Sequence, residues 1–62
     1  MGDKLKKRRK ELELSVYELA EKTGLSATYI SNLENEQKKN PSKETMEKIA
    51  ANLQCDVTDI FF

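Results

Sequence analysis

Eleven carboxylates, one thiol and no histidine are the acid, base and nucleophile material of this 62-residue chain. Catalysis needs a nucleophile or general base within reach of a second orienting group, and nothing here is spaced for that. Cys55 has neither a second cysteine nor a histidine to share a metal with, and reads as a small buried hydrophobe. Asp56 and Asp59 are more simply a cap and a dipole partner for a short last helix. With no glycine-rich phosphate loop either, the chain is expected not to be an enzyme and to hold no cofactor, metal or small-molecule ligand. What remains is hydrogen-bonding and apolar contact chemistry. It is concentrated where Ser26, Ala27, Thr28, Ser31 and Asn32 alternate with the apolar Ile30 and Leu33.

The elements that must hold those side chains lie in the 21 residues from Ser15 to Asn35. Ser15 followed by Glu18 is a capping box, and Leu14 with Leu19 brackets it as a hydrophobic staple. Leu19 and Ala20 point inward, while Glu18, Glu21 and Lys22 point outward. Gly24 supplies the left-handed residue that ends a helix, so one helix is expected over about Val16 to Thr23. Ser26 is a second N-cap, stapled by Leu25 and Ile30. In the helix it opens, Ile30 and Leu33 face inward, leaving Ala27, Thr28, Ser31 and Asn32 on other faces. Two short amphipathic helices joined by a tight turn around one core make a helix-turn-helix, a unit that reads DNA.

The wider pattern resembles the helix-turn-helix family of the phage lambda Cro and repressor proteins, also called the Xre family. The likeness is carried by Ala20, Gly24, Ile30 and Leu33 in register, then Glu34-Asn35, Asn40-Pro41-Ser42 and Val57-Thr58-Asp59-Ile60-Phe61, covering nearly the whole chain. It implies an all-α, compact five-helix domain with helices two and three as the motif. The residues outside the motif fit: a first helix over about Asp3 to Leu12, capped by Asp3 with Leu5 and Leu12 inward; a fourth after Pro41, capped by Ser42, with Met46, Ile49, Ala50 and Leu53 inward; and a short fifth starting near Thr58. Residues 35 to 41 form a polar loop between helices three and four. At this length residues 1–62 are expected to be one domain with a small core. No apolar run approaches a membrane span or a signal peptide, so no membrane partner and a cytoplasmic, bacterial or phage-encoded protein are expected.

Charge complicates the DNA reading. The formal net charge is zero. Residues 1–10 hold six bases and one acid, whereas residues 11–36 hold only Lys22 against Glu11, Glu13, Glu18, Glu21, Glu34 and Glu36. Phosphate contacts supply most non-specific affinity for DNA, so these acids must face elsewhere. The resemblance implies that most do: helix two shows its acidic face away from the groove, and Glu34 is a buried carboxylate paired with Arg9 of the first helix. It also places base contacts at Ser26, Ala27, Thr28 and Asn32. Asparagine can bond adenine twice, and alanine or a threonine methyl can touch thymine, so the set leans towards A·T pairs.

For phosphates, the candidates are the helix N-termini, Tyr17, Tyr29 and Asn35, with Lys38, Lys39 and Lys43 adding charge. Each tyrosine is equally suited to half-buried packing with a wet tip, and the lysines to a solvated loop. The chain departs from the family at three places. Val16 stands where glutamine is usual, Glu13 replaces a glycine between helices one and two, and Glu36 a glycine or neutral residue after helix three. A single half-site is therefore expected to bind weakly. A homodimer on a short palindrome of double-stranded DNA is expected, with Ile60, Phe61 and Phe62 as its apolar interface; the alternative is that Ile60 and Phe61 close the core. The reading is a transcriptional regulator, a repressor, because so small a domain has little surface for recruiting polymerase. The competing class is an antirepressor- or antitoxin-like module that keeps the fold but binds protein.

Overall fold

The computed structural model describes residues 2–35 and 41–62. Among these the chain is all-helical, in the order α1 (Gly2–Glu11), α2 (Val16–Thr23), α3 (Ala27–Glu34), α4 (Lys43–Asn52) and α5 (Val57–Phe61). One core joins them: Leu5 of α1, Leu19 and Ala20 of α2, Ile30 and Leu33 of α3, Ile49 and Ala50 of α4 with Leu53 just beyond it, and Ile60 and Phe61 of α5. α1 packs on α3 and α5, α2 on α3 and α4, and α4 on α5. Met46, placed on the inward stripe by its spacing, is only half-buried at the edge of this core.

The helix starts follow the capping chemistry. Ser15 Oγ accepts from the Glu18 backbone N–H at 3.0 Å, and the Glu18 carboxylate accepts from the Ser15 N–H at 2.8 Å. The Ser15 backbone N–H, helped by the Ser15 hydroxyl, holds the Glu18 carboxyl below its ordinary value. Ser26 Oγ accepts from Tyr29 N–H, and Ser42 Oγ from Thr45 N–H. α1 differs from expectation: it begins at Gly2, so Asp3 is not its cap but an acid in its first turn, where the helix dipole favours it. α5 begins at Val57, with Asp56 as its N-cap and Asp59 reaching back to the Asp56 N–H.

Three helices end on left-handed residues, and only one of these is glycine. Gly24 (φ 75°) closes α2, its N–H bonded to Ala20 O. Glu13 (φ 58°) closes α1 and Gln54 (φ 57°) follows α4. In each of these two the following residue bonds back across the turn, Leu14 N–H to Arg9 O and Cys55 N–H to Ala50 O, with Glu13 N–H to Lys10 O and Gln54 N–H to Ala51 O inside. These are Schellman closures built without glycine. An L residue held in this region costs about 1–2 kcal/mol, partly offset in glycine by its larger backbone entropy loss. Glu13→Gly is accordingly expected to stabilise the fold by about 1 kcal/mol. A urea midpoint that stays put or falls in this variant would refute that account.

α1 approaches α3 more closely than side chains would allow. Gly2 is buried, and a methyl group in its place would overlap the Glu34 carbonyl at the end of α3. Its lack of a side chain lets the start of α1 rest on the last turn of α3.

Candidate nucleic-acid interface

Two adjacent arginines of α1 set the position of the helix-turn-helix. Arg9 and Glu34 are 7 % and 8 % exposed. Arg9 Nε donates to Glu34 Oε2 at 2.6 Å and Nη2 to Oε1 at 3.1 Å, a two-pronged pair, while Nη1 donates to Leu14 O at 2.7 Å. Glu34 is the last residue of α3, where the helix dipole disfavours a carboxylate, so the guanidinium is what makes that charge tolerable there. Arg9 thus ties α1 both to the turn that enters α2 and to the end of α3.

Arg8 points to another partner. Its Nε donates to Leu53 O at 2.9 Å and Nη2 to Gln54 O at 3.3 Å, placing a cation on the carbonyl end of α4. Arg8 also meets Glu11 at 3.3 Å on the surface, a pair worth little in water. From sequence Arg8 is one of the six bases in residues 1–10; the part it plays on α4 depends on backbone carbonyls 45 and 46 residues away. Nearby, burial pushes the Cys55 thiol above its ordinary value, and Sγ contacts Ala50 O, the contact of a half-buried small side chain.

Above this scaffold, α2 and α3 leave a solvent-open groove of about 340 Å³ lined by Val16, Tyr17, Ala27, Thr28, Ser31 and Asn32. Three of the four residues expected at base edges, Ala27, Thr28 and Asn32, come together here. Ser26 does not line the groove; it is exposed at the start of α3 with its hydroxyl committed as acceptor to the cap. Ser31 and Val16 join the set instead. Ser31 could have been placed there by its helical spacing from Ala27 and Thr28. Among the described residues no carboxylate lines the groove, because Glu18 and Glu21 project from other faces of α2 and Glu34 is buried on Arg9.

The residues expected at phosphates are dispersed. Tyr17 lines the groove at 78 % exposure, whereas Tyr29 is half-buried and packed against the core. Asn35 and Lys43 are exposed, at the end of α3 and the start of α4. Lys38, Lys39 and Glu36 lie outside the described residues. The expected apolar interface is largely corrected: Ile60 and Phe61 are in the domain's own core, sandwiched where α5 meets α1 and α4, and only Phe62 is exposed, at 77 %. A five-residue helix buries these two side chains because it is covered from two sides.

No helix among the described residues is long and apolar enough to cross a membrane. Residues 5–60 match the helix-turn-helix family model. The transcriptional regulator SinR of Bacillus subtilis (strain 168) is 40 % identical over 57 residues, covering 92 % of this chain and 51 % of SinR. The immunity repressor of Bacillus phage phi105 is 38 % identical over 60 residues, covering 97 % of this chain and 41 % of the repressor. A crystal structure of SinR, master regulator for biofilm formation, in complex with DNA superposes with a TM-score of 0.90 at 39 % identity, covering 95 % of this chain and 97 % of that one. The chain spans about half the length or less of these curated relatives. The chain is therefore a member of the helix-turn-helix family, of the Xre type.

Proposed function

We propose that residues 1–62 form one DNA-reading domain of a transcriptional regulator, a repressor, in which α3 enters the major groove of a specific duplex. The observation that carries this is the groove between α2 and α3. It gathers an amide, two aliphatic hydroxyls and apolar groups on an open face that, among the described residues, carries no carboxylate, the set needed to read base edges. The N-termini of α2 and α3, with Tyr17, Asn35 and Lys43 around them, suit the flanking phosphates. That a relative was crystallised on DNA supports the same reading. Repression follows by analogy with the phage immunity repressor.

With Val16 in place of the family's usual glutamine, one domain is expected to grip weakly, and a two-fold pair reading a short palindrome would supply the rest. Its recognition helices would sit about 34 Å apart. Phe62 is the exposed apolar group at the α5 end that such a pairing could cover.

The zero net charge favours one rival, a protein-binding module with the same scaffold. A salt titration separates them. Binding to a duplex selected from a random pool should weaken steeply with salt, with a log-log slope of about −0.9 for each phosphate contacted. Absence of binding to any duplex at low salt would leave the protein-binding module standing.

A further inference from the structure

The interface contains a wall that hydrogen bonding does not use. Val16 is the first residue of α2 and shares the groove with Ala27 and Thr28 of α3. Val16 and Ala27 are half-buried and packed in part against the core, so their methyl groups are fixed by the scaffold and still open into the groove. Valine is also stiff at χ1, which keeps the wall in one place. Ser31 and Asn32 line the same groove. Within the major groove of a duplex, the apolar feature on a base edge is the C5-methyl of a pyrimidine: thymine, or cytosine that has been methylated.

Resting on the DNA-reading proposed above, we infer that Val16, with Ala27 and the Thr28 methyl, forms a receptacle for one pyrimidine C5-methyl group, which makes Val16 a determinant of sequence specificity. α2 then contributes to base reading by shape and apolar contact. A methyl group seated there loses water on several sides, whereas an unmethylated pyrimidine leaves the wall facing a gap.

The test uses the duplex enriched from a random pool by the wild-type chain. Each thymine of the half-site is replaced in turn by deoxyuridine, which removes only the methyl, and each cytosine by 5-methylcytosine, which adds it. One deoxyuridine position should weaken binding about fourfold, the worth of one buried methyl; if the wall is fitted to methylated cytosine, one cytosine position should instead gain about fourfold. In Val16→Ala, and in Thr28→Ser, which deletes a methyl but keeps the hydroxyl, that dependence should shrink below about twofold at the same position only. The inference is overturned if no methyl changes wild-type affinity by about twofold or more, or if Val16→Ala keeps the full dependence. A pool that yields no enriched sequence overturns the DNA-reading itself, a result distinct from a selected operator indifferent to methyl groups.

Discussion

Glu34→Ala is expected to lower the unfolding free energy by about 3–5 kcal/mol. The substitution removes the two acceptors that Arg9 Nε and Nη2 use and leaves a buried guanidinium with only Leu14 O. Stranding one charge of a buried pair is far more costly than replacing both. A domain of this size holds only a few kcal/mol in reserve, so Glu34→Ala should populate unfolded chain at room temperature. The double variant Arg9→Met/Glu34→Leu should recover most of the loss, since apolar groups of similar volume need no compensation. Urea unfolding of the two variants side by side decides it. A cost below about 1 kcal/mol for Glu34→Ala would mean that the pair is solvated and not structural.

Asn32→Ala is expected to act on recognition and leave the fold alone. Its amide makes no hydrogen bond among the described residues, although it is half-buried in the groove beside Ser31. An asparagine amide can donate and accept towards an adenine edge, and alanine is a better helix former than asparagine. Binding to the preferred duplex should weaken by about 1–3 kcal/mol, with preference relaxed at one base-pair position and the urea midpoint unchanged or raised. If sequence preference survives intact, α3 does not present Asn32 to the bases.

The scaffold was legible in the sequence because its signals are local. Ser15 with Glu18, Gly24, Ser26 and Ser42 announce helix ends within four residues of themselves, and the inward stripes need only helical spacing. Glu13 stood out as a non-glycine where the family bends, and its left-handed φ is the physical counterpart. Gln54 in the same conformation carried no such sign. The start of α1 was misplaced because Asp3 is a good cap by type, whereas the contact that fixes the helix start is Gly2 against the end of α3, a long-range packing fact. The tail was harder for the same reason: whether Ile60 and Phe61 face a core or a partner depends on α1 and α4 covering α5 from two sides. In the groove, the family resemblance pointed to Ala27, Thr28 and Asn32 on α3, but Val16 joins them only through the angle between two helices, which no single helical pattern encodes.

Arg8 and Arg9 are neighbours in sequence, yet one closes a loop of 45 residues onto the end of α4 and the other a loop of 25 residues onto the end of α3. Neither α2–α3 nor α4–α5 can loosen without losing a bond to the same short helix. Opening should therefore be all-or-none, with slowly exchanging amides in α1, α3 and α4 sharing one global protection free energy. The motif that reads as self-contained in the sequence would not survive excision as a peptide: its rigidity is borrowed from a helix outside it.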